Sequence, residues 1–388
     1  MPKFPFMVAS NQTIAASLAT HNSPQAARNI GWTVNNGFRQ LIIPTAMTFS
    51  DLYVQLITAP GAGTSRTFNT RLNTSVDNIS ATISNTDTVG SDTTHITPAV
   101  AGDQVDIYNS FTGSPATTTL RWSCFANSTG QVLSSTSGTA VSATNYTGVQ
   151  SLSGGSATLS DVEQVMPTGG KFKNLYAYLG NNGIVSGSYD VTLYVNGSPT
   201  ALTCNLSSAN RKNSDTSNSV SVAEGDLVAI EAKPNTPSSN RTVEISVEFE
   251  ANNPGEGVLL NTTGATAIVH NTKAYAGWYN TVNQFGADPT ISQSYALPVT
   301  FTKLYAKLGT APGTGYNRTI ALDNNGTDAL QLVISDTATS GSVTGHHTPK
   351  IGDLLCLSSI KHASAASSTL KIGLVFQAYN SRSFFNMF

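Results

Sequence analysis

Apolar and polar positions alternate with a period of two along most of this chain. Tyr189-Asp190-Val191-Thr192-Leu193-Tyr194-Val195 alternates and runs into Asn196-Gly197, a pair suited to the positive φ angles of a two-residue hairpin turn. Thr319-Ile320-Ala321-Leu322-Asp323 leads in the same way through Asn324-Asn325-Gly326 into Ala329–Ile334. Further alternating runs, Thr119–Phe125, Val243–Phe249 and Leu370–Phe376, predict sheets with one buried face.

The pattern is written three times. Asp51-Leu52-Tyr53-Val54-Gln55-Leu56, Asn174-Leu175-Tyr176-Ala177-Tyr178-Leu179 and Lys303-Leu304-Tyr305-Ala306-Lys307-Leu308 each follow a proline, Pro44, Pro167 or Pro298. Each is followed by a Gly-Asp pair opening another alternating run: Gly102-Asp103, Gly225-Asp226 and Gly352-Asp353. Thr58–Gly63 reads like Thr310–Gly315, and Ser91–Thr94 like Ser214–Ser217. A period of about 125 residues is a repeat of whole folding units, longer than a solenoid repeat. The expected fold is all-β, three tandem antiparallel β-sandwich domains at 1–128, 129–253 and 254–388. The breaks are placed in the Gly-, Ser-, Thr- and Asn-rich stretches 127–144 and 252–266.

Turn signals every ten residues or so fit a jelly roll or an immunoglobulin-like sandwich. Jelly roll is preferred, because Ser80–Thr94 and Ser207–Ser219 read as long crossing loops rich in small residues. Asn69–Ile83 shows no Asn-Gly turn.

Composition narrows the function. Only 11% of the 388 residues are charged, against about a quarter in ordinary soluble domains. The hydroxyl and amide side chains that replace them favour strands and turns over helix interiors. A net charge of −2, with no basic run longer than Arg211-Lys212, lacks the phosphate-neutralising footprint of a nucleic-acid binder. No apolar stretch approaches the length of a membrane span. The first residues, broken by Pro2 and Pro5, do not form a signal peptide, so folding in the cytoplasm of the producing cell is expected. The odd number of cysteines, Cys124, Cys204 and Cys356, points to buried thiols.

Candidate chemistry is thin, and no enzyme activity and no cofactor are expected. His95 and the pair His346-His347 read as exposed loop histidines rather than zinc ligands. Asp103, Asp226 and Asp353 recur in register without the clustered carboxylates that calcium needs, so they read as turn residues capping backbone N–H groups. Glu224, Glu231, Glu244, Glu248 and Glu250 all lie in the second repeat, and no paired-acid site is marked. Tyr53, Tyr176 and Tyr305 could stack on sugars, but their place beside Leu on a strand fits a sheet edge or interface better. Phe4 and Phe6 near the start, and Phe384, Phe385 and Phe388 at the end, either pack on the chain's own domains or anchor a neighbouring subunit.

Leu304–Gly313 with its Asn-Gly hairpin and Gly352-Asp353, together with Val220–Ile230, resembles repeats in structural proteins of bacterial viruses. The Gly-Asp phrase is also similar to that of trimeric jelly rolls of the complement-C1q and tumour-necrosis-factor type. The resemblance implies a virion protein assembled in the host cytoplasm and exposed on capsid or tail as spike, fibre, decoration or shell component. It implies homotrimers, other virion proteins as partners, and contact with a host surface glycan or receptor. The alternative is a secreted bacterial glycan-binding or adhesive protein of carbohydrate-binding-like modules.

Overall fold

The structure, a computed structural model, describes residues 1–16, 18–24, 32–34, 40–136, 143–150, 155–180, 187–235, 242–278, 285–290 and 293–378. The first repeat contains β1 (Lys3–Ile14), β2 (Thr20–Asn22), β3 (Leu41–Ile42), β4 (Met47–Leu56), β5 (Gly61–Leu72), β6 (Ser75–Asn85), β7 (Val89–Ala99), β8 (Gln104–Thr112) and β9 (Thr118–Asn127). The second contains β10 (Gln131–Thr136), β11 (Asn145–Thr147), β12 (Gln164–Val165), β13 (Gly170–Leu179), β14 (Ser188–Val195), β15 (Ser198–Ser207), β16 (Lys212–Val222), β17 (Leu227–Asn235) and β18 (Val243–Ala251). The third contains β19 (Glu256–Thr262), β20 (Ala274–Ala276), β21 (Ser294–Tyr295), β22 (Thr300–Leu308), β23 (Gly313–Asn324), β24 (Thr327–Asp336), β25 (Ser340–His347), β26 (Leu354–Lys361) and β27 (Leu370–Gln377). No α-helix forms among the described residues, and one 3-10 turn spans Leu159–Asp161.

Each repeat builds the same two antiparallel sheets. In the first these are β1-β9-β4-β7 and β2-β8-β5-β6, with short β3 pairing on β8. The second repeats the order as β10-β18-β13-β16 and β11-β17-β14-β15, and the third as β19-β27-β22-β25 and β20-β26-β23-β24. With the two-residue third strand set aside, this is the eight-stranded, double Greek-key jelly roll.

The two sheets of a repeat bury their residues differently. In β15, Leu202, Cys204 and Leu206 are buried while Ala201, Thr203 and Asn205 are exposed, as expected of a sheet with one wet face. In the other sheet the alternation vanishes: Arg121–Ala126 of β9, Gln131–Ser135 of β10, Val243–Phe249 of β18 and Gly257–Thr262 of β19 are buried without a break. Such strands must be covered on both faces. One cover is the repeat's own core, and the other is the short third strand of the preceding repeat. Thus β3 packs on β13 and β18, β12 packs on β19, β22 and β27, and β21 packs on β1, β4 and β9. The last contact runs from the third repeat back to the first, so the three jelly rolls close into a ring.

Two expectations about loops are corrected. Ser80–Thr94 lies largely in β6 and β7, and Ser207–Ser219 largely in β16. The small polar residues are the wet face of real strands: Ser80 and Thr82 are exposed while Ile79, Ala81 and Ile83 are buried. Likewise 127–144 and 252–266 contain β10 and β19, which leaves only 128–130 and 252–255 as connectors between repeats. The polar text of β10 misleads because its Ser134 and Ser135, on opposite faces of the strand, are both buried.

Candidate functional site

The recurring aspartates each complete a clamp with an asparagine on the hairpin turn that joins β5 to β6, β14 to β15 or β23 to β24. Asp226 Oδ2 accepts the Ala223 N–H at 2.7 Å and Oδ1 accepts Asn196 Nδ2 at 2.8 Å, while Asn196 Oδ1 accepts the Leu227 N–H at 2.9 Å. Asp103 is bonded in the same way by Val100 and Asn73, and Asp353 by Lys350 and Asn325. The three asparagines need the left-handed backbone, with φ of 49° at Asn73, 51° at Asn196 and 52° at Asn325. The first repeat therefore does have this turn, at Asn73-Thr74, with φ of 77° at Thr74. Burial opposes ionisation of Asp353, but the Lys350 N–H and the Asn324 and Asn325 amides outweigh it and hold the carboxyl below its ordinary range. In each clamp both carboxylate oxygens are engaged by the protein.

The glycine of each Gly-Asp pair lies at a junction between repeats. Gly102, Gly225 and Gly352 have φ of 89°, 87° and 93°, open only to a residue without a side chain. A Cβ on Gly225 would lie 3.2 Å from Tyr305 Oη of the next repeat, and one on Gly102 would lie 3.9 Å from Tyr176 Cε1. A Cβ on Gly352 would lie 3.3 Å from Tyr295 Oη, and Tyr295 in turn stacks on Tyr53 of the first repeat. The recurring tyrosines are half-buried at junctions, so their ring faces are not open platforms. Lys212 Nζ donates to the Gly102 carbonyl at 2.8 Å, and Lys303 pairs with Glu224 at 2.5 Å across the second junction.

A second set of junction residues was hidden in the alternating text. Arg121, Glu244 and Lys371 occupy one register position on the closing strands, opposite Gln55, Tyr178 and Lys307. Gln40, Glu163 and Gln293 occupy one position beside the short third strands. Arg121 Nε donates to the Gln293 carbonyl at 2.9 Å and Nη2 to the Thr290 carbonyl at 2.8 Å. Lys371 Nζ donates to the carbonyls of Ser160 at 2.8 Å and Glu163 at 3.1 Å, with Glu163 Oε2 at 3.6 Å. Burial pushes the Lys371 ammonium below its ordinary range, against the pull of Glu163. At the first junction the corresponding residues, Gln40 and Glu244, are both buried. The available signal was their recurrence at one register position of the three closing strands.

The N-terminal aromatics Phe4 and Phe6 are buried within the chain. Phe4 packs edge-on to Phe376 at 6.4 Å and Phe6 stacks on Phe49 at 5.9 Å, both within the core. Phe384, Phe385 and Phe388 lie outside the described residues. Cys124, Cys204 and Cys356 are buried free thiols. The histidines expected in loops sit on strands instead. His95 on β7 pairs with Asp92 at 2.9 Å, and His347 on β25 meets Asn324 Nδ2 at 3.0 Å. Among the described residues no group of three or more His, Cys, Asp or Glu is placed to hold a metal.

What the arrangement does chemically is bind its own repeats to one another. No family model matches the chain, and no curated protein matches it. Among solved structures, one from the atomic structure of Sulfolobus turreted icosahedral virus aligns over 97% of this chain and 96% of that chain, at 10% identity and a TM-score of 0.18. A TM-score of 0.18 is too low for that likeness to carry weight on fold or function.

Proposed function

We propose that this chain is a non-enzymatic structural protein of a bacterial virus particle, exposed on capsid or tail as a spike, fibre, decoration or shell component. Its modules are 1–128, 129–253 and 254–388, and its partners are other virion proteins, with a host surface glycan or receptor as the outward contact. The observation that carries the reading is the ring of three jelly rolls, whose recurring residues all serve turns and junctions. Jelly rolls serve in both capsids and lectins, so the fold alone is analogy. The junction placement of Tyr53, Tyr176 and Tyr305 favours the structural role, because a glycan-binding module needs open aromatic faces. The test is mass spectrometry of purified virus particles from the source culture, with copy number measured against the most abundant protein. Stoichiometric presence supports the reading and its copy number separates shell from spike. Absence overturns it in favour of the secreted glycan-binding alternative.

A further inference from the structure

Each repeat has one short strand that docks and one sheet that receives, and all three pairs are engaged within a single chain. Head-to-tail contacts of this kind either close into a ring or run on as a filament. Here they close after three. We propose that the protein is a single-chain trimer: one copy fills, as a monomer, the place that three copies of a one-jelly-roll subunit would fill. The homotrimer implied by the resemblance is, on this reading, folded into one polypeptide. The inference concerns the isolated protein and does not depend on the virion reading.

Three observations lead to it. First, the closing strands β9, β18 and β27 are buried nearly throughout and each already carries a short docking strand, so no copy of this interface is left for a second chain among the described residues. Secondly, the junctions are alike in backbone and unlike in polar residues. At the first junction these positions hold Gln40 and Glu244, both buried, whereas Lys371 bonds Glu163 at the second and Arg121 bonds Gln293 at the third. Three identical subunits could not carry three different keys. In one chain the differences specify order, since Glu163 docked on the second repeat would put its carboxylate against that of Glu244, both out of water. Thirdly, the ends of the chain meet where its connectors lie. Ser128 N–H donates to the Pro2 carbonyl, Ala378 N–H donates to the Gly255 carbonyl, and Phe4 touches Phe376.

The contact of β21 with the first repeat is thus the one junction with no peptide connector, and it should tolerate one. The test starts with light scattering and X-ray scattering on the purified full-length chain. A mass of 40.6 kDa at micromolar concentration is expected, and a stable species of three times that mass overturns the proposal. A circular permutant then joins Phe388 to Met1, with residues 379–388 as the linker, and opens the chain within 128–130. It should fold as a monomer with the parent's radius of gyration. A permutant that does not fold, or folds only as an oligomer, overturns the equivalence of the three junctions. Finally, Arg121→Glu sets a carboxylate against the Gln293 and Thr290 carbonyls and should open the ring. The radius of gyration should rise and protease should cut faster at 128–130, with the β-sheet circular dichroism retained and Arg121→Lys restoring the parent values. An Arg121→Glu protein as compact and as resistant as the parent also overturns it.

Discussion

Tyr53 of the first repeat stacks on Tyr295 of the third, with ring centroids 5.9 Å apart and planes 16° apart. At the two junctions that also have a peptide connector, the residues in the place of Tyr295 are the aliphatic Ile42 and Val165. The aromatic pair therefore stands where the ring has only side chains to hold it. Burial raises both phenol pKa values above their ordinary range, so neither hydroxyl ionises under ordinary conditions.

A double-mutant cycle measures that contact. Tyr53→Ala, Tyr295→Ala and the double variant, compared by urea unfolding, should show a coupling of about 0.5–1.5 kcal/mol, the usual worth of an aromatic pair beyond its buried area. Strictly additive losses would mean that the two rings do not support each other.

Thr74 should be a stability defect. In the second and third repeats the second turn residue is Gly197 or Gly326, at φ of 81° and 85°, whereas the first repeat holds Thr74 at φ of 77°. A β-branched residue is strained there, at about 1–2 kcal/mol. Thr74→Gly is expected to recover roughly 1 kcal/mol of that cost, while Gly197→Ala and Gly326→Ala each lose a similar amount. Calorimetric melting temperatures check the sign. A destabilised Thr74→Gly protein would show that the Thr74 carbonyl, which accepts from Arg71, depends on the threonine itself.

What could be read from the sequence was local or repeated. Asn196-Gly197 announces its turn because two positive φ angles demand those residues, and Asp226 is marked by recurrence. Strands such as β15 alternate because one face stays wet. The parts that were not legible are those that another repeat buries. Ser134 and Ser135 read as linker although they lie inside a strand buried on both its faces. Arg121 and Lys371 read as wet-face residues, which they would be in an isolated jelly roll. The turn at Asn73-Thr74 was missed because Thr stands where the two sister turns have Gly.

The thiols should be inert in the folded protein. Burial, with Asp215 and Asp190 nearby, pushes Cys204 up to about 12, and burial raises Cys124 and Cys356 as well. Since only the thiolate reacts, an aromatic disulfide reagent at pH 8 should modify none of the three in the native state and all three in denaturant. Rapid native labelling would place one of them at the surface.

Acid should weaken the protein partly through Asp92. Burial opposes its ionisation, but the N–H groups of Ser80, His95 and Thr94 outweigh that and hold the carboxyl well below its ordinary range. A depressed carboxylate pKa adds stability that is present above the unfolded value, about 4, and is lost as the pH falls through the folded value. Asp92→Asn turns an amide N–H₂ toward backbone donors, and losing charge-assisted bonds of this kind costs about 1.5–3 kcal/mol. His95 Nδ1 lies 2.9 Å from Asp92 Oδ2, so the comparison is made in a His95→Gln background, which removes that neighbouring titration. Urea unfolding should show the full difference between the proteins with and without Asp92→Asn at pH 7, and a shrinking one below about pH 4. A difference that stays constant down to about pH 2 would mean that the carboxylate charge does not contribute, and that the loss at neutral pH comes from packing alone.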